Sequence, residues 1–129
     1  MNKTLLIVLI FLLAIFSSCD DQLNLPSDEE IPVNNISYNK HIQPIFNIRC
    51  ATAGCHDDQT KSAGLSLTSY QNTTASYTIV FPGNPDASLL VLSIEGRSNF
   101  PMPPPGRPPL TQTQIRAIRT WVAEGAKNN

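Results

Sequence analysis

Cys50-Ala51-Thr52-Ala53-Gly54-Cys55-His56 is the stretch from which the rest of the chain is best read. A histidine directly after the second of two close cysteines is the pattern of covalent c-type haem attachment. In that chemistry two thiols form thioethers with the haem and the adjacent imidazole ligates the iron. The usual spacing puts two residues between the cysteines, and here there are four. The extra length has to loop out. Ala51, Thr52, Ala53 and Gly54 are small enough to do so, and glycine reaches positive φ without steric penalty, which brings Cys55 back toward Cys50. The step that fixes the iron ligand, from Cys55 to His56, is unchanged.

Two other chemistries fit the same residues. In an oxidising compartment Cys50 and Cys55 form a small disulfide, with His56 beside it by chance. Two cysteines and a histidine are also three ligands of a zinc site, for which His41, the only other histidine, would have to be the fourth. Downstream residues favour haem. Apart from Met1, Met102 is the only methionine, and it lies within Phe100-Pro101-Met102-Pro103-Pro104-Pro105-Gly106-Arg107-Pro108-Pro109, which holds six of the eleven prolines. Successive prolines forbid helix and keep the chain extended, so this segment reads as a stiff strap that presents the Met102 thioether at a fixed place. Histidine with methionine is an axial pair of electron-transfer cytochromes c. His56 and Met102 are therefore the expected iron ligands, with His41 or an open sixth position as the alternatives.

Toward the N-terminus, Lys3 precedes an unbroken apolar run over residues 5–16, followed by Ser17, Ser18 and Cys19. A basic start, a short apolar run and small residues are the marks of a secretion signal, and twelve apolar residues are too few to span a bilayer. Small residues ending in cysteine resemble the cleavage site of bacterial lipoproteins, in which that cysteine receives lipid. Phe16 departs from the usual pattern, which leaves ordinary secretion and an uncleaved anchor as competing readings. Lipidation of Cys19 accounts for the odd count of three cysteines and leaves Cys50 and Cys55 as a pair. Residues 1–18 are thus expected as signal peptide and 19–36 as an acidic flexible tether, since Asp20, Asp21, Asp28, Glu29 and Glu30 stand there with Pro26, Pro32 and no basic residue. A single small domain is expected over 37–129. It carries eight basic residues against five acidic ones, a scattered balance of three positive charges that gives no footprint for nucleic acid.

Within that domain the periodicity predicts three helices and no repeat. Thr111 and Gln114 form a capping box ahead of Ile115, Ile118, Trp121 and Val122, with Leu110 placed to staple onto Ile115 and Gly125 as the stop. That gives a helix over 112–124, with Arg116, Arg119 and Glu124 toward solvent. Ile42, Ile45, Phe46 and Ile48 form a second apolar stripe, which Pro44 either kinks or starts. Asn84 and Pro85 open a third helix through Leu89, Leu90 and Val91 to Gly96. Residues 64–81, rich in Ser, Thr and Tyr, read as loop with one extended piece at most.

In order and spacing, one set of residues resembles a family. It comprises Ile42, Pro44 and Ile45; Cys55 and His56; Gly64, Leu65 and Leu67; Pro82, Gly83, Pro85, Ser88, Leu89 and Leu90; Met102, Pro103 and Pro104; Leu110, Trp121, Gly125 and Ala126. Over residues 38–126 the chain resembles the monohaem c-type cytochrome domains of bacterial envelope lipoproteins and planctomycete-type cytochromes. The resemblance implies an all-α, cytochrome c-like fold of about three helices around one covalent haem c. Its N- and C-terminal helices cross, and a methionine loop closes the far side. Trp121 falls in the core or near the haem, and Arg97 and Arg107 are candidates to pair with haem propionates. The function it implies is electron transfer with redox partner proteins, without enzymatic activity. The protein would be held to the membrane by its lipid in the bacterial cell envelope, with the haem domain exported, periplasmic or associated with the outer membrane. Two readings compete: ligand sensing or peroxidase-like chemistry at a loosely held Met102, and a haem-free surface lipoprotein with a Cys50–Cys55 disulfide.

Overall fold

A computed structural model of the chain describes residues 25–129. The apolar run 5–16 and Cys19 lie outside the described residues. Among the described residues there are helices and no strands, and no helix is long and apolar enough to cross a membrane. The elements in order are a wide π-type turn (Tyr38–Ile42) running into α1 (Gln43–Arg49), a 3₁₀ turn (Ser62–Gly64), α2 (Tyr70–Thr73), a second 3₁₀ turn (Pro85–Ala87), α3 (Leu89–Ile94) and α4 (Gln112–Ala123).

Pro44 decides how the first of these begins. It has no N–H to donate, so α1 starts where that donor is unneeded, with Pro44 in its first turn. The wider turn before it is held by Ser37, whose carbonyl accepts the N–H groups of His41 at 3.0 Å and Ile42 at 3.3 Å. Helix α4 follows its sequence signals closely. The Thr111 hydroxyl accepts the Gln114 N–H at 3.1 Å, and the Gln114 side chain accepts the Thr111 N–H at 3.1 Å. At the other end Gly125, at φ +98°, lets Gly125 N–H reach the Val122 carbonyl at 3.0 Å and Ala126 N–H reach the Trp121 carbonyl at 2.9 Å. This is the double hydrogen bond of a Schellman stop.

The core gathers around Tyr38 and Trp121. Tyr38 stacks edge-on with Phe46 at 6.4 Å and Tyr70 at 5.1 Å and lies 5.2 Å from Trp121 between ring centroids. Trp121 is fully buried and donates its indole N–H to the Lys127 carbonyl at 2.9 Å, so it belongs to the core. The N-terminal elements meet α4 through the Tyr38–Ile42 turn. Burial pushes the Tyr38 hydroxyl up to about 12. It is satisfied there by Gln43 at 2.6 Å and Thr73 at 3.1 Å.

The packed body begins upstream of Ser37. Ile31 and Ile36 are buried, Leu25 packs against the core, and the N–H groups of Asn35 and Ile36 donate to the Glu124 carboxylate at 2.6 and 2.9 Å. The Thr111 hydroxyl donates to Asp28 at 2.8 Å. Charge and prolines made this segment read as a tether, yet isolated isoleucines supply apolar surface whose burial outweighs the polarity around them. Glu124 is therefore an acceptor for backbone and not a solvated charge. Arg119 also departs from the sequence reading. It pairs with Glu95 and Asp86 at 2.9 Å each, and Arg97 reaches the same two carboxylates at 2.9 and 2.8 Å.

Two further differences concern helices. The third expected helix is split at Ser88, which is extended and fully buried. Its hydroxyl donates to the Asn84 carbonyl at 2.9 Å and accepts the Phe81 N–H at 2.8 Å, bonds that compete with a continuous helix. Within residues 64–81 a four-residue helix, α2, forms under a cap in which Ser69 accepts the Asn72 N–H at 3.2 Å.

Candidate functional site

Helix α1 ends at Arg49 and delivers Cys50, whose N–H donates to the Phe46 carbonyl at 2.9 Å. The four small residues then turn back. Cys55 N–H donates to the Thr52 carbonyl at 3.0 Å, Gly54 adopts φ +82°, and His56 N–H reaches the Cys50 carbonyl at 3.1 Å. The last bond closes the enlarged loop and returns His56 to the neighbourhood of Cys50. Asp57 ties the loop from outside, accepting the N–H groups of Gly54 at 3.1 Å, Gln59 at 2.8 Å and Thr60 at 2.9 Å. These bonds, the one from Thr60 foremost, hold its carboxyl down at about 2.

His56 is oriented by its own backbone neighbourhood. Its Nδ1 lies 3.2 Å from the Leu65 carbonyl. A carbonyl only accepts, so Nδ1 carries the proton and Nε2 keeps its lone pair for a metal. A second tie, Leu67 N–H to the His56 carbonyl at 2.9 Å, fixes the same segment. The strap is tied as well. Met102 N–H donates to the Ser93 carbonyl of α3 at 2.9 Å, while the Met102 side chain stays 37% exposed.

Cys50, Cys55, His56 and Met102 line one cavity of about 560 Å³, within the size range of cofactor pockets. Its walls are mainly apolar, from Leu65, Leu67, Leu89, Leu90, Ile94 and Leu110. Both cysteines are free thiols and half-buried. Burial, with Cys55 adjacent, pushes the Cys50 thiol up to about 12. His41 does not line the cavity; its Nδ1 accepts the Ser37 N–H at 3.0 Å. Burial, reinforced by Lys40, lowers its affinity for a proton. Among the described residues no three His, Cys, Asp or Glu side chains converge to hold a metal ion. The zinc reading, which needed His41 as fourth ligand, finds no support in this arrangement.

The arginines fall differently from the sequence expectation. Arg97 is engaged by Asp86 and Glu95 and does not line the cavity. Arg107 lines it from the strap, with an exposed side chain. Arg49 lines it too, and its buried Nε–H has no hydrogen-bond partner. The sequence reading passed over Arg49, although a cation immediately before the first cysteine of the motif was the signal available.

A family model described as Planctomycete cytochrome C matches residues 53–106, somewhat under half of the chain. Residues 53–106 match a planctomycete-type cytochrome c domain. The matched stretch takes in Cys55, His56 and Met102 and starts three residues after Cys50. No curated protein and no solved structure matches the chain. The all-helical described region accords with a cytochrome c-like domain, and a domain of that family implies haem c binding and electron transfer at a coarse level. The residues present fit that group. They offer two thiols, an imidazole with Nε2 free for iron, a thioether, an apolar cavity and an arginine whose buried Nε–H has no partner.

Proposed function

We propose that the protein is an electron-carrying cytochrome with one haem c, attached through Cys50 and Cys55 and ligated by His56 and Met102. When bound, the haem iron supplies one-electron exchange between ferrous and ferric forms. The protein residues do the rest. The Leu65 carbonyl keeps His56 in the tautomer that presents Nε2, as outer hydrogen bonds do for metal-bound histidines generally. The Ser93 carbonyl holds the strap that carries Met102, and the aliphatic walls exclude water, which helps set the potential of such sites. If His56 and Met102 both held the iron, no position would be left for a substrate, and the domain would carry electrons between partner proteins without being an enzyme.

The observation that carries this reading is that one apolar cavity collects both thiols, the oriented imidazole and the strap methionine. The test is covalent haem. The full chain is made with haem-maturation machinery, run on a denaturing gel and stained for haem peroxidase activity. Stain that survives denaturation is expected, and its loss in the Cys50→Ser, Cys55→Ser double variant. A wild-type band without stain would sink the reading and favour a haem-free disulfide module.

We further propose that Cys19 is lipidated and tethers the exported domain to the bacterial cell envelope. The small residues before Cys19 and the odd cysteine count support this. Partition of the wild type into detergent, and of Cys19→Ser into the aqueous phase, is the expected outcome. Equal partition of the two would contradict lipidation.

A further inference from the structure

We infer that Arg49 is the binding site for a carboxylate of the cavity's occupant, a haem propionate. This inference rests on the haem reading above. An arginine keeps its charge at every ordinary pH, and its donors are expensive to bury without acceptors. Arg49 nevertheless stands in the cavity wall with a buried Nε–H that meets no acceptor. No Asp or Glu lines the cavity, so the protein itself offers that donor no counter-charge there. The contrast lies within the same molecule, where Arg97 and Arg119 are each engaged by both Asp86 and Glu95. A planar guanidinium matches a carboxylate with paired N–H donors. An apolar occupant carrying carboxylates would therefore satisfy the walls and Arg49 together. Arg107 also reaches this cavity from the strap, but it is exposed and hydrated and has no orphaned donor to satisfy.

The test compares haem-loaded full-length variants by reduction potential and by the propionate-bending band of the resonance Raman spectrum. Arg116→Gln, an exposed position on α4 away from the cavity, removes the same charge and serves as the reference. Arg49→Gln is expected to shift the propionate band and to lower the potential further than Arg116→Gln does, because an unneutralised carboxylate near the iron favours the ferric state. Arg49→Lys keeps the charge but lacks the Nε–H, so its potential stays near wild type while the band still moves. It decides the matter if Arg49→Gln fails to load haem. A propionate band unchanged in both Arg49 variants overturns the inference. Failure of the haem reading is distinguishable, because the wild type itself would then show no covalent stain.

Discussion

Met102 is where a single residue carries the most functional weight. Its backbone is pinned to Ser93 while its thioether faces a cavity shared with His56. Under the proposed ligation, Met102→Ala should leave the denaturing-gel haem stain intact, since the proposed attachment lies with the cysteines, and should lower the reduction potential, because a thioether ligand raises it. Spectroelectrochemical titration of both proteins checks this, and an unchanged potential would remove Met102 from the iron. Asp57 acts at the same scale through the loop. Its folded carboxyl, at about 2, sits below the unfolded value of about 3.9. The carboxylate therefore stabilises the fold fully above about pH 4, and this contribution is lost as the pH falls toward about 2. Asp57→Ala is expected to unfold at lower urea than wild type at neutral pH, with the gap closing over that acid range. The structure lines one cavity with Cys50, Cys55, His56 and Met102, and all four were legible in the sequence as candidates, by residue type and spacing. The roles of Asp57 and Arg49 were not, since each depends on which backbone and cavity atoms surround it.

Among the elements, α4 was readable end to end because its signals are local. Its capping box, its apolar stripe and its glycine stop all fall within residues 110–126 and need no distant partner. Those signals carry measurable energies. Thr111→Ala should cost about 1 kcal/mol by loss of the cap. Gly125→Ala should cost about 1–2 kcal/mol by placing a side chain in the left-handed region. Urea unfolding of the two variants reads both values. The break at Ser88 could not be read the same way. Asn84 and Pro85 announce a helix start correctly, but the buried Ser88 hydroxyl bonds to Phe81 and Asn84 across a turn whose shape is set by the fold. Helix α2, with four residues, is too short for periodicity to register.

For the whole molecule, two features decide stability. The first is the segment upstream of Ser37, joined to the body through Ile31, Ile36 and Glu124. Ile36→Ala should cost about 2–5 kcal/mol, as for other buried isoleucines, whereas a flexible tether would show no change on urea unfolding. The second is the cavity of about 560 Å³ beside a small core. A domain of this size buries limited apolar surface. Haem-free protein is therefore expected to melt broadly by calorimetry, and a sharp cooperative transition would contradict that.

Read without its fold, the chain already yields the helical class and the last helix, and it sets apart the 50–56 run and the proline-rich strap around Met102 as a candidate haem site. Each is written in short-range patterns that hold wherever the segment lies. That the upstream segment is packed, that Arg97 and Arg119 are engaged elsewhere, and that the Arg49 Nε–H meets no partner in the cavity wall emerges only from the folded chain. Those outcomes depend on which distant groups meet, and Glu124 with Ile36 or Arg49 with an empty wall leaves no trace in local spacing. The stretch 50–56 spans both kinds. Its residue types point to the proposed attachment, and the bond from His56 N–H to the Cys50 carbonyl is what lets four intervening residues return the histidine to the first cysteine.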